Sequence, residues 1–563
     1  MKKLAAILVL ALGPLLLAQS ATSSSLDRAM KSIDPERIRA SVKYLSDDAL
    51  QGRGTGQKGG DMAADWIAEQ FKSYGLLPAG DNGTFFQNVN FFGVTTDAKQ
   101  TQFSFVPNSG PEIALKFADD YVATNQRHTE KAAIEAPIVF VGYGIDAPEY
   151  QWNDYKGADL KGKVLLMLVN EPPSDDPKFF KGRALTYYGR WTYKYEEAAR
   201  RGAIGVMLIH KTEMASYGWE VVRNSWGGET SLLADDLDPK LQSAGWIQLE
   251  VARKLTQAAG RDLDKLMQDA NTRGFQPVEL PVRLKATLVS KVRSFASRNV
   301  IGKVAGSDAK LKNQAILYTA HYDHLGIHAD EPGDNIYNGA ADNATGCGII
   351  LELARVAAAA QEKPKRSILF AAVTAEEQGL LGSKYLGQHP PVPARNISLD
   401  LNFDDLQPIG EPQEMVATGA DRTTVYPFVQ KLAKQFDLGI APEDRPEAGY
   451  YYRSDHFSMA RVGVPAFSIN QGALFKGHDR AWGVEKETDY RTHRYHQPSD
   501  EYHPEMDFSG DAKMARYGLA LGWAVANLSQ LAGWQPGDEF EKARRESNSK
   551  RALFQDLKVI PVG

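Results

Sequence analysis

The sequence predicts an α/β protein, a mostly parallel or mixed sheet with helices on both faces, carrying an inserted β-rich domain. Three observations predict it. From about residue 295 short apolar runs alternate with helical stretches, the pattern of strands and crossover helices. The runs Ala315 to Thr319, Ser367 to Thr374, Ile397 to Phe403 and Pro465 to Ile469 show little polar alternation, as strands buried on both faces do. Between about 120 and 285 the pattern changes to short β-rich runs set apart by turn residues.

The elements come in this order. Residues 1–21 read as a signal peptide: Lys2 and Lys3 precede the apolar run Ala5 to Leu17, and small residues come after it. That run is short for a membrane span. Asp34 to Leu45 and Gly60 to Tyr74 read as helices; in the second, Ala63, Trp66, Ile67, Phe71 and Tyr74 recur at helical spacing, with Gly75 as C-cap. The stretch Gly52 to Gly56 before it reads as a flexible loop. Within 120–285, Ala136 to Tyr143, Lys163 to Val169 and Ile204 to Ile209 are strand-like and Tyr193 to Arg201 is helical. Beyond it, helices are expected over Gly346 to Ala360, Val425 to Phe436 and Ala512 to Leu531. The expected division is therefore 22–119 and 286–540 as one domain, 120–285 as an insert, and 541–563 as a tail.

Composition narrows the function classes. Of 563 residues, 43% are hydrophobic and 24% charged, which excludes disordered, collagen-like and coiled-coil chains. A net charge of −5 without a basic stripe argues against nucleic acid as a partner. No later run reaches the roughly 18 apolar residues of a membrane span. With Cys347 as the single cysteine, an exported chain must draw its stability from its core and from metal rather than from disulfides.

Nine of the eleven histidines lie between His321 and His503, which is where chemistry is sought. His321 and Asp323 end a strand on one face, so a histidine can ligate metal while an aspartate accepts from its other ring nitrogen; a solvated strand end has the same pattern. Asn338 to Gly346 precedes a helix, and its Asp342 serves equally as a helix cap or a ligand. Glu376 and Glu377 come directly after a buried strand. Folding does not need two adjacent carboxylates there, whereas a metal would take one and leave the other to move protons; acidic residues that open a helix are the alternative. Asp404 ends a further strand, and His496 lies in Tyr495 to Asp500. The Ser454-Asp455-His456 stretch is expected to support the site without ligating. Imidazole mixed with carboxylate suits zinc, and five ligands exceed what one open zinc site needs, which points to two ions sharing a carboxylate.

The series His-x-Asp, Gly-Ala-x-Asp-Asn, Glu-Glu-x-Gly, Asn-x-Asp and Tyr-His-x-Pro-x-Asp resembles the M28 family of zinc exopeptidases, which includes bacterial secreted aminopeptidases and glutamate carboxypeptidase. The likeness covers about 295 to 530. It extends to Leu50 to Arg53 and Tyr74 to Leu76, and the insert resembles a protease-associated domain. The resemblance implies that His321 and Asp404 bind one zinc, that Glu377 and His496 bind the other, and that Asp342 bridges them. It further implies that Asp323 orients His321, that Glu376 is the general base, and that the Asp342–Asn343 peptide is cis. Ala341 departs from the family, many of whose members carry a second acidic residue there. The function that the resemblance implies is that of an exported two-zinc exopeptidase acting on peptides, aminopeptidase before carboxypeptidase. A glutaminyl cyclase or an inactive receptor-like protein on the same fold is the competing reading. Oligomeric state and side-chain preference are open.

Overall fold

In the computed structural model, residues 25–547 are described apart from 216 and 329–331; the expected signal peptide and residues 548–563 of the tail lie outside them. The chain divides into two units. One contains the chain up to Val89, Ala296–Glu443 and the chain from Arg453 onward; the other is Asn90–Phe295 with Asp444–Tyr452. The expected insert lies within the second unit. That unit also takes in the preceding strand Gln102–Pro107, because its residues pair with Val282 to Thr287 rather than with the first unit.

The main path of the first unit's sheet runs through β1 (Val278–Val304, through its last residues), β2 (Ala315–His321), β3 (Ser367–Val373), β4 (Ile397–Asn402) and β5 (Ala466–Ser468), and the short strand Leu77–Pro78 pairs with β1 beside it. Their order is β5-β4-β2-β3-β1. β2 runs parallel to both β3 and β4, with Thr319 level with Ala371 on one side and Asn402 on the other; β1 is antiparallel to β3. Every residue of β2, β3 and β4 is buried, which accounts for their unbroken apolar character. Because β3 and β4 lie on opposite sides of β2, the strand order reverses there. The crevice beyond the carboxyl ends of such strands is where open α/β sheets bind ligands.

Helices α1 (Pro35–Leu45), α2 (Lys58–Ser73), α3 (Thr345–Ala359) and α4 (Ser509–Ala526) complete the core of this unit. Asp34 caps α1, its carboxylate accepting from the Glu36 N–H. In α3 the side chains of Ile349, Ile350, Leu351 and Leu353 are fully buried, each contributing about 1.5–3 kcal/mol. α4 lies close on the sheet: Tyr318 stacks on Phe370 at 5.3 Å and donates its hydroxyl to the Gly518 carbonyl at 2.9 Å. A Cβ at Gly522 would stand 2.0 Å from that hydroxyl oxygen, so only glycine permits the approach. α4 ends five residues before the expected Leu531. The guanidinium of Arg366 collects the carbonyls of Val525, Ala526 and Leu528, and Asn527 turns back on Trp523, which stops the helix.

The second unit is a mixed sheet. Lys131–Phe140, Val164–Leu168, Gly205–His210 and Ser243–Gln248 run parallel in succession, and Tyr121–Thr124 closes the edge antiparallel. The helices Trp191–Arg200 and Leu249–Ala258 pack on it. His210 stands among Trp219 and Trp246, and His128 packs on Phe92, so both its histidines sit in aromatic surroundings. Among the described residues no helix is long and apolar enough to cross a membrane.

Candidate metal centre

The parallel register of β2, β3 and β4 places the segments after their carboxyl ends side by side. His321 is the last residue of β2, level with Val373 of β3, and Glu376 and Glu377 come three and four residues later. Asp404 lies two residues beyond Asn402, the end of β4. Asp342 enters from the loop before α3 and His496 from the segment after the helix Arg480–His493. The peptide bond Asp342–Asn343 is cis.

These side chains converge. His321 Nε2 lies 3.1 Å from Asp342 Oδ1 and 3.0 Å from Asp404 Oδ1. His496 Nε2 lies 3.2 Å from Asp342 Oδ2 and 3.2 Å from Glu377 Oε2. The two oxygens of Asp342 thus face two separate histidine–carboxylate pairs. His321, Asp342 and Glu377 side chains are at most 5% exposed, whereas His496 is 36% exposed and forms the open side.

Supporting contacts lock this arrangement. Asp500 accepts from the N–H groups of Ala341 and Asp342 at 3.0–3.1 Å, tying the His496 segment to the Asp342 loop. Ser454 donates to Asp404 Oδ2 and accepts from Asn402. Asp455 and His456 are buried at the start of the helix His456–Arg461, and neither takes part in the pairs around Asp342. The carboxylate of Asp323 accepts from the Glu376 N–H at 3.2 Å and from the Thr55 hydroxyl at 2.9 Å. His321 Nδ1 instead meets the main-chain carbonyl of Asp323 at 3.1 Å, with the carboxylate 3.8 Å away. The contact between Asp323 and the His321 ring is thus made by its main-chain carbonyl, while its carboxylate is turned to Thr55 and Glu376.

The Gly52 to Gly56 stretch, expected as a flexible loop, is held firmly. The fully buried Arg53 donates to the carbonyls of Tyr322 at 2.7 Å, Gly339 at 2.8 Å, Leu45 and Asn338. It joins the His321 and Asp342 loops to the N-terminal helices. Two further residues join the cluster that sequence reasoning passed over. His324 Nδ1 lies 2.7 Å from Glu377 Oε1, and Asp405 groups with Asp342 and Asp404. Their signals were a second histidine three residues after His321 and a second aspartate directly after Asp404.

Crowding sets the proton affinities. Burial lifts the Glu376 carboxyl well above its ordinary range, with Glu377 and Asp404 adding to the effect against His321. Burial also opposes ionisation of Asp342, but hydrogen bonds from His321 and His496 hold it well below the carboxylate range. Glu377, pushed up by burial and Asp342, is drawn down to about 2 by His324 and His496. Burial would lower His496, yet its bonds to Asp342 and Glu377 raise it to about 11. Such an array of buried carboxylates around the imidazoles of His321, His324 and His496 is costly without further positive charge. Its donor set, two imidazole nitrogens and three carboxylates with Glu376 beside them, fits divalent zinc. His321, Asp342 and Glu377 can converge on one ion, as can His321, Glu376 and Asp404.

Comparison with known proteins falls on the same residues. Residues 299–519 match Peptidase family M28. A "Probable zinc metalloprotease" of Pyrenophora teres f. teres (strain 0-1) is 40% identical over 128 residues, 20% of this chain and 24% of that protein. Aminopeptidase YwaD of Bacillus subtilis (strain 168) is 29% identical over 404 residues, 70% of this chain and 66% of that protein. The chain thus spans only about a quarter of the length of the fungal relative. Among solved structures, the aminopeptidase from Aneurinibacillus sp. strain AM-1 aligns with a TM-score of 0.45 at 19% identity, over 91% of this chain and 97% of that one. Residues 299–519, the part of the chain that matches Peptidase family M28, hold β2 to β5 and every residue of the cluster described above except Arg53 and Thr55.

Proposed function

We propose that this chain is a two-zinc exopeptidase that removes residues from a peptide end, with aminopeptidase the favoured specificity and carboxypeptidase the alternative. The observation that carries it is the split of Asp342, with Oδ1 toward His321 and Oδ2 toward His496. His321 and Asp404 would hold one ion, Glu377 and His496 the other, with Asp342 between them. Zinc bound there supplies Lewis acidity toward the scissile carbonyl and the attacking water. Glu376, fixed at its N–H by Asp323, accepts the proton of the attacking water at its carboxylate and returns it to the leaving amine. Asp323 and Asp500 keep these groups in place, and the buried walls around His321 and Glu377 exclude bulk water.

Aminopeptidase is favoured because the relative that aligns over 70% of this chain is named as an aminopeptidase. Export is supported by residues 1–21 of the sequence. Residues 120–285, within the second unit, are proposed to be a protease-associated insert without catalytic residues. A glutaminyl cyclase would need one zinc and leave part of this ligand set without use. The purified protein is to be assayed on aminoacyl and N-blocked peptide substrates, with and without a chelator, alongside its zinc content. Two zinc equivalents and cleavage of free-amino substrates alone are expected. A stoichiometry that stays at one under saturating zinc removes the bridging role of Asp342, and cleavage of N-blocked peptides at a free carboxyl end reverses the specificity.

A further inference from the structure

We propose that His324 is a positioning residue for the metal centre: it holds Glu377 Oε1, so that Oε2 is the oxygen presented beside His496 and Asp342. The inference rests on reading Glu377 as a metal ligand. A glutamate carboxylate turns easily about its last torsion, and its two oxygens are equivalent until something distinguishes them. Here something does. His324 Nδ1 lies 2.7 Å from Oε1, while Oε2 lies 3.2 Å from His496 Nε2.

The imidazole is built into its place. Its side chain is wholly buried, and its main chain is pinned by a bridge to Gly54 and by its N–H donating to the Arg53 carbonyl at 3.2 Å. A Cβ at Gly339 would come within 2.6 Å of the ring, so that glycine, at φ +59°, leaves the space the imidazole fills. An apolar side chain could occupy such a space at lower cost, since a buried ring nitrogen without a partner is expensive. The polar atom nearest to that nitrogen is Glu377 Oε1, in a 2.7 Å ion-pair contact whose angles fall short of a hydrogen bond. Nor does His324 stand where a ligand would: its Nδ1 faces the oxygen of Glu377 turned away from His496, and it is 3.9 Å from Asp342 Oδ2. A histidine in ion-pair contact with the far oxygen of a ligating carboxylate biases that ligand's direction, and losing such a partner typically weakens metal binding 10–100-fold.

The test measures zinc affinity of the full chain by competition with a chromophoric chelator, together with the melting temperature of the zinc-free protein. H324F keeps a ring but loses the donor; H324N keeps an N–H near the position of Nδ1. H324F should bind the more weakly held zinc about 10–100-fold less tightly, while H324N stays within about threefold of wild type. Wild-type affinity in H324F would overturn the proposal, as would an equal loss in both variants, which would mark a packing role. Should H324F not be recovered folded, the same comparison between H324A and H324N decides it. E377A, measured alongside, keeps the two questions apart: if it retains both zincs at wild-type affinity, Glu377 is not a ligand and the parent reading fails.

Discussion

Glu376→Gln asks the sharpest question of the site. The substitution keeps size and shape and removes only the ability to carry a proton. The main-chain N–H of Glu376 still meets Asp323 at 3.2 Å, so the loop after β3 keeps its path. None of the four short histidine–carboxylate contacts around Asp342 involves Glu376. Zinc content should therefore stay at the wild-type level. Proton transfer by a positioned carboxylate is worth about 10²–10⁴ in rate. At about 1.36 kcal/mol per decade, the barrier should rise by roughly 3–5 kcal/mol, in kcat with little change in KM. Glu377→Gln should do the opposite, because it weakens an oxygen shared with His496 at 3.2 Å and lowers metal occupancy first. The assay is steady-state kinetics on a chromogenic aminoacyl substrate, with metal measured on the same preparations. The reverse pattern, zinc lost from Glu376→Gln and kept by Glu377→Gln, would refute the division of labour. It would make Glu376 the ligand, a role its place beside His321 and Asp404 also permits geometrically.

Three further outcomes are expected. His496→Ala should lose zinc to a competing chelator while His456→Ala retains it and alters only kcat/KM; the converse would show the wrong histidine was chosen as ligand. Ala in place of both His128 and His210 should leave kcat/KM on a short substrate within about tenfold, roughly 1.4 kcal/mol, because both pack among aromatic rings of the second unit; a larger loss would contradict its non-catalytic assignment. Asp511, wholly buried in α4 with neither carboxylate oxygen hydrogen-bonded, is raised to about 7 by burial. Its folded value exceeds an unfolded one of about 4, so the stability contribution of its protonated form is present below pH 4 and lost as pH rises toward 7. Asp511→Asn should therefore gain melting temperature over wild type at pH 8 relative to pH 5, and equal differences at the two pH values would sink the argument.

The features that the sequence alone determined are local and periodic. Strands buried on both faces must be apolar throughout, so β2, β3 and β4 were legible as runs. Carboxylates and histidines directly after them had no folding reason to be there, so the order of the candidate ligands was legible too. The helix Lys58–Ser73 and the cap at Asp34 come from spacing and capping chemistry. The tertiary structure decided which partner each polar atom meets, because that depends on groups far away along the chain. Spacing could place Asp323 beside His321, but its carboxylate meets Thr55 and Glu376 while its carbonyl meets the ring. Arg53 looked like part of a loose glycine-rich loop until four distant carbonyls surrounded its guanidinium. The return of Asp444–Tyr452 to the second unit carries no periodic signal at all. The split of Asp342's oxygens and the arrival of His324 at Glu377 likewise exist only once β2, β3 and β4 lie side by side, since a hydrogen bond is set by distance in space and a sequence records only distance along the chain.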